Sequence, residues 1–150
     1  MKTEFDQKTA LAMLWVEDDE MILELQASLI IASFPAITLY TAANGKQGLE
    51  LFLTHTPDIV VTDINMPEMC GVQMAETIRA IKPDTKLIAI SGKTAETGKN
   101  GKFSLQSPAG KTTEFDCFIV KPVLLADLFS AIEKCLAEIA QQASKPGCSA

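Results

Sequence analysis

Histidine is almost missing from this chain, and His55 is the only one. One imidazole cannot by itself build a His-based metal site or a relay. Its place before Thr56-Pro57 fits a helix end or a loop. Cysteine is sparse as well. Cys70, Cys117, Cys135 and Cys148 show no CxxC spacing and no histidine cluster nearby. That argues against zinc and disulfides, and for reduced, partly buried thiols. Positive charge is in deficit, with 13 Lys and Arg against 19 Asp and Glu and a net charge of −6. Phosphate backbones are held by clusters of Lys and Arg, so DNA or RNA is not expected as a direct partner. No apolar run approaches the ~20 residues of a membrane span. Nor does the N-terminus carry a long apolar segment behind basic residues, as a signal peptide would. The expected location is cytoplasmic, without membrane insertion.

What is present is a globular composition, 47% hydrophobic and 21% charged over 150 residues. That favours one domain with one core. Residues 1–10 read as a polar lead-in, residues 11–140 as the domain, and residues 141–150 as a polar tail or the start of a linker. No internal repeat is found.

The stretch from Asp58 to Pro67 organises the rest. Ile59-Val60-Val61-Thr62 is apolar and β-branched without polar alternation, which suits a strand buried on both faces of a parallel sheet. It stops at Asp63, and Pro67 stands four residues on. Leu11 to Val16 repeats the pattern and runs into Glu17-Asp18-Asp19-Glu20. Further strands are expected at 36–40, 86–90 and 117–120. Helical spacing follows each of the first three: Ile22, Leu25 and Leu29; then Leu49, Phe52 and Leu53; then Val72, Ala75 and Ile78. Leu125, Leu128, Phe129, Ile132, Leu136 and Ile139 mark a final amphipathic helix. Alternating strands and helices argue a doubly wound α/β fold with a five-stranded parallel sheet. Residues 93–114 break the rhythm. They are rich in Gly, Lys, Thr and Ser, with a turn signal at Ser107-Pro108-Ala109-Gly110.

In a parallel sheet all strand C-termini lie on one edge, where open α/β sheets place their ligands. That edge gathers Glu17, Asp18, Asp63, Ser91 and Lys121. Two carboxylates about 5 Å apart repel by about 3 kcal/mol at an effective dielectric of about 20. A divalent cation, a lysine or protonation of one carboxyl would relieve the crowding. All-oxygen ligation suits Mg²⁺. Lys121 offers a point charge for a phosphoryl oxygen, and the Ser91 hydroxyl can donate to another. Asp63 is placed to act as a nucleophile, giving an acyl phosphate.

These residues, in this order at matching strand ends, resemble the receiver domain of two-component response regulators. The motifs are Glu17-Asp18, Asp63 with Met66-Pro67 and Gly71, Ser91, and Lys121-Pro122. The resemblance covers roughly residues 11–140. It implies the flavodoxin-like strand order 2-1-3-4-5. It implies a phosphoacceptor in a two-component phosphorelay, with Asp63 receiving a phosphoryl group from a histidine kinase or histidine phosphotransfer protein. Asp18 and Asp63 would bind Mg²⁺ directly, Glu17 mostly through water, and Asn65 through its backbone carbonyl. Ser91 would be the switch hydroxyl and Phe118 the rotating aromatic. The Lys121-Pro122 bond would be cis. Such a protein is not an enzyme with a separate substrate. At most it catalyses its own phosphorylation and dephosphorylation, and it passes the signal to an output domain or downstream protein.

The sequence also departs from that family. Ser91 to Lys121 spans more residues than usual, and the excess sits in 93–114. The fourth helix is therefore expected to be atypical or missing, with an ordered or mobile loop in its place. Gly92 stands where the family often has Ala, and Phe118 has no hydroxyl for a tyrosine-type hydrogen bond. Asn65 and Lys93 are placed to shape the access of water to an acyl phosphate, though both are also ordinary loop residues. Two other readings stand beside the main one. A degenerate receiver would act only as a docking module. A phosphohydrolase with an aspartyl-phosphate intermediate would want an Asp two residues after the nucleophile, where this chain has Asn65. Residues beyond 140 are too few for an output domain, so the sequence reads as a stand-alone receiver or a piece of a longer chain.

Overall fold

A computed structural model describes residues 11–92 and 102–144. The lead-in 1–10, Lys93 with the rest of 93–101, and the end of the tail at 145–150 lie outside the described residues.

The apolar runs form the strands the pattern predicts: β1 (Leu11–Val16), β2 (Ile37–Ala42), β3 (Ile59–Asp63), β4 (Lys86–Ser91) and, as the last, β7 (Cys117–Val120). All pair in parallel, in the order β2-β1-β3-β4-β7. This is the 2-1-3-4-5 order, with β7 as the fifth strand. Among the described residues, four helices pack around the sheet: α1 (Glu20–Ser33), α2 (Gly45–His55), α3 (Gly71–Ile81) and α4 (Leu125–Ser144). Asp19 caps α1 by accepting the N–H groups of Met21 and Ile22, at 3.1 and 3.2 Å. Asn44 caps α2 through the N–H of Gln47 at 2.7 Å. Thr56, in the left-handed region at φ 41°, ends α2 just after His55. α4 runs past the apolar pattern to Ser144, so Gln141 to Ser144, expected to begin the tail, continue the helix. No helix among the described residues is long and apolar enough to cross a membrane.

Successive strand residues face opposite sides of a sheet. Met13 and Trp15 therefore pack with Leu23 and Ile30 of α1 and Leu128 and Ile132 of α4. Leu14 and Val16 pack with Phe52 of α2 and Met74 and Ile78 of α3. These two apolar layers, one on each face of the sheet, hold the strand ends in place.

The departure falls where the fourth helix was expected to be atypical or missing, but residues 103–115 are not the loop the sequence suggested. β5 (Phe103–Gln106) and β6 (Thr112–Phe115) form an antiparallel hairpin, registered Phe103 to Phe115 and Gln106 to Thr112. Its turn is closed by Ser107 N–H to Lys111 O and Gly110 N–H to Ser107 O, both 2.8 Å, with Gly110 at φ 88°. β6 packs against α3 and β4. Fully buried Phe115 joins the α2/α3 cluster there, with Phe103 and Leu105 against it. Among the described residues, it is this hairpin that covers that part of the apolar face.

The foot of the hairpin is pinned by a buried carboxylate. Asp116 accepts the Leu87 N–H at 2.8 Å and pairs with Lys102. Arg79 of α3 lies 3.5 Å away and Lys86 of β4 4.0 Å away. Burial alone would raise this carboxyl, but the bonds from Lys102 and Leu87 outweigh it and hold it below the usual range. Arg79 also donates to the carbonyls of Pro83, Thr85 and Glu114, each at 2.7 Å.

Candidate functional site

Four of the five strands of the main sheet each deliver one part of the site. β1 ends at Val16 and presents Glu17 and Asp18, β3 ends on Asp63, β4 ends on Ser91, and β7 leads into Lys121. Asp63, Glu17 and Ser91 are buried, while Asp18 is exposed. Glu17, Asp18 and Asp63 each place a carboxylate oxygen within 4.8 Å of the others. Lys121 closes the fourth side, its Nζ 2.7 Å from Asp63 Oδ2. The other oxygen of Asp63, Oδ1, accepts the Asn65 N–H at 3.1 Å. Both oxygens of Asp63 are thus oriented, one by a fixed peptide and one by a mobile cation.

The electrostatics follow from this crowding. Burial, with the Asp63 charge adding to it, pushes the Glu17 carboxyl from its ordinary 4.5 up to about 7, against the pull of the Asp19 N–H and of Lys121. That N–H lies 3.1 Å from Glu17 Oε2. The Lys121 ammonium is raised, chiefly by its bond to Asp63. Three hard oxygen donors with a surplus of negative charge form a set fitted to Mg²⁺.

The backbone behind Asp63 leaves no slack. Ile64 N–H bonds Ile90 O, and Gly71 N–H returns to Ile64 O, both at 2.9 Å. A Cβ on Gly71 would stand 2.4 Å from the Asp63 carbonyl oxygen and 3.1 Å from Thr62 Oγ1. Only glycine lets the loop fold back this closely. Met66 is buried and Met69 packs on the same cluster, so both serve the loop's packing.

The remaining sequence-derived residues divide. Ser91 O accepts the Lys121 N–H at 2.8 Å, which ties the two strand ends together. The Lys121-Pro122 bond is cis. Asn65 is exposed and reaches the site through its backbone. Phe118 is half-buried on the hairpin side of β7, packed on Phe103 and outside the acidic cluster. Sequence reasoning missed Asp116 and its cations. Its one signal was an acid inside the apolar run from Phe115 to Val120.

The response regulator receiver domain family matches residues 13–133. The chain belongs to that family. Among the relatives of this receiver is the Bacillus subtilis (strain 168) protein named Probable C4-dicarboxylate response regulator DctR. The two are 31% identical over 122 residues, covering 81% of this chain and 50% of DctR. The receiver therefore spans about half of that relative's length. A solved receiver domain from Clostridium thermocellum superposes with a TM-score of 0.70 at 22% identity, covering 88% of this chain and 98% of that one. At that identity the likeness speaks for the fold alone. The response regulator TrrA of Thermotoga maritima, solved in complex with Mg(2+)-BeF, has a TM-score of 0.66 at 27% identity, covering 83% of this chain and 98% of that one.

Proposed function

We propose that this receiver accepts a phosphoryl group on Asp63 from a phosphohistidine of a histidine kinase or histidine phosphotransfer protein. The observation that carries the reading is the pair at 2.7 Å, Lys121 Nζ on Asp63 Oδ2, beside the acidic cluster. A carboxylate oxygen of Asp63 attacks phosphorus as the bond to the imidazole nitrogen breaks. The Lys121 ammonium then passes from Asp63 to a phosphoryl oxygen, and Ser91 turns its hydroxyl to another. Mg²⁺ held by Glu17, Asp18, Asp63 and the Asn65 carbonyl would neutralise charge as it develops on the phosphoryl group. The group stays on the protein's own side chain. Asn65 offers no acid for passing it to water, which disfavours the phosphohydrolase reading.

Residues 11–140 act as the phosphoacceptor unit. Met21, Ile22, Leu124 and Leu125 are exposed near the acidic edge in the chain, an apolar rim for the donor protein. Phosphorylation is a local charge change that biases a packed surface. Phe118 of β7 packs on Phe103 of the hairpin, so the output surface is the hairpin side of the sheet, read by an output domain or a downstream protein.

The test is incubation with Mg²⁺ and acetyl phosphate, followed by intact mass. A Mg²⁺-dependent gain of one phosphoryl group, absent in Asp63→Asn, is the expected result. No gain together with no Mg²⁺ binding would overturn the acceptor reading and leave a docking module.

A further inference from the structure

Cys117 opens β7 and Cys135 lies within α4, in the same apolar cluster between strand and helix. Cys117 Sγ is 4.0 Å from the carbonyl oxygen of Ala131, one helical turn before Cys135. That carbonyl points along α4 toward Cys135, and both sulfurs belong to the same buried cluster. Their surroundings differ. Cys135 is fully buried, whereas Cys117 is 8% exposed. It lines an open cavity of about 490 Å³ with Phe103 and Phe118 on one side and Asp127, Ser130 and Lys134 of α4 on the other.

We propose that Cys117 and Cys135 form a reversible disulfide when a hydroperoxide reaches Cys117 through this cavity. The site has an order built into it. The neighbouring Cys135 thiol holds the Cys117 thiol below its ordinary value against its burial, and the Lys134 charge adds to this. The same contact and burial push Cys135 up. The accessible sulfur is thus the better thiolate, and the buried one keeps its proton.

The Cys117 thiolate attacks one peroxide oxygen. The O–O bond breaks, the leaving alkoxide takes a proton as an alcohol, and Cys117 becomes a sulfenic acid. The Cys135 sulfur then attacks the Cys117 sulfur. The S–O bond breaks, and hydroxide leaves as water with the Cys135 proton. Two thiols are oxidised and one hydroperoxide is reduced by two electrons. A dithiol reverses the bond by exchange. The staple would tie α4 to the strand that delivers Lys121, and it does not depend on the role proposed for Asp63.

Trypsin leaves Cys117 in peptide 112–134 and Cys135 in peptide 135–150, because Lys121 and Lys145 precede proline. The second peptide also holds Cys148, so the test uses the full chain with Cys70→Ser and Cys148→Ser. After hydrogen peroxide the protein should lose two hydrogens, resist alkylation and yield the two peptides joined. Dithiothreitol should restore two alkylatable thiols. With Cys135→Ala added, oxidation should stop at a sulfenic acid on Cys117 that dimedone traps. Two alkylatable thiols after peroxide, in protein with native thermal unfolding, would overturn the proposal. So would a bond between chains, or a wild-type chain in which either residue pairs with Cys70 or Cys148.

Discussion

The Phe103 ring, on the first strand of the hairpin, lies 5.6 Å from the Phe118 ring on β7, with the planes tilted by 30°. This pair joins the hairpin to the edge of the main sheet. Phe103→Ala should remove about 2 kcal/mol of stability. A lower urea midpoint would measure it. Faster amide exchange should appear in β5 and β6, while β1 and β3 keep their protection.

Asp116→Ala should be more costly, because it strands Lys102, Lys86 and Arg79 around a void. Removing one partner of such a buried cluster costs about 3–5 kcal/mol. The acid dependence has a definite sign. A carboxyl held low in the folded protein stabilises it fully above the unfolded pKa of about 3.9. That gain is lost as pH falls through the folded value. The gap in unfolding free energy between wild type and Asp116→Asn should be constant near neutrality and shrink below about pH 3.9.

Glu17 has the opposite sign. Its folded carboxyl, raised from 4.5 to about 7, binds more protons than the unfolded one between those values. Stability contributed by this group falls as pH rises through that window. In a chelator, Glu17→Gln should gain about 2 kcal/mol on wild type between acid and neutral pH. Thermal unfolding at both ends of the window reads it. Added Mg²⁺ should reverse the ranking, since the variant lacks one of the three acidic oxygens.

Lys121→Ala should slow phosphorylation of Asp63 by acetyl phosphate about 100-fold, the loss that follows from one preorganised donor. Stability should change far less. Phosphoryl incorporation over time, beside a urea titration, separates the two effects.

Gly71→Ala should destabilise by about 2 kcal/mol, the scale of a tight overpacking. The new Cβ meets the Asp63 carbonyl, so the backbone bearing the acceptor must move. Phosphoryl incorporation should fall with stability, whereas a control such as Ala80→Gly on the exposed side of α3 should spare it.

The fold was legible where the apolar runs are unbroken. Ile59 to Asp63 and Cys117 to Val120 read as strands because nothing polar interrupts their apolar faces until the functional end. The acidic edge was legible because a parallel sheet forces strand ends together. The hairpin was not. Phe103-Ser104-Leu105-Gln106 and Thr112-Thr113-Glu114-Phe115 alternate for only four residues each, within a stretch rich in turn formers. Asp116 escaped notice because its cations come from three separate places: α3, β4 and the residue before β5. No local pattern encodes a cluster assembled across such distances in the chain. The cysteine pair is similar, since only packing of α4 on β7 makes neighbours of residues 117 and 135.

The turn Ser107-Pro108-Ala109-Gly110 is the far end of a lever whose foot is clamped at Asp116. Pro108, Ala109 and Gly110 are exposed, and the turn is closed by its own backbone bonds. Added length at this tip costs only loop entropy, which grows slowly with residue number. A fluorophore or a short peptide tag grafted between Pro108 and Gly110 would ride on the hairpin without touching the acidic edge. The fold therefore carries its own attachment point for an optical reporter of whatever the hairpin does.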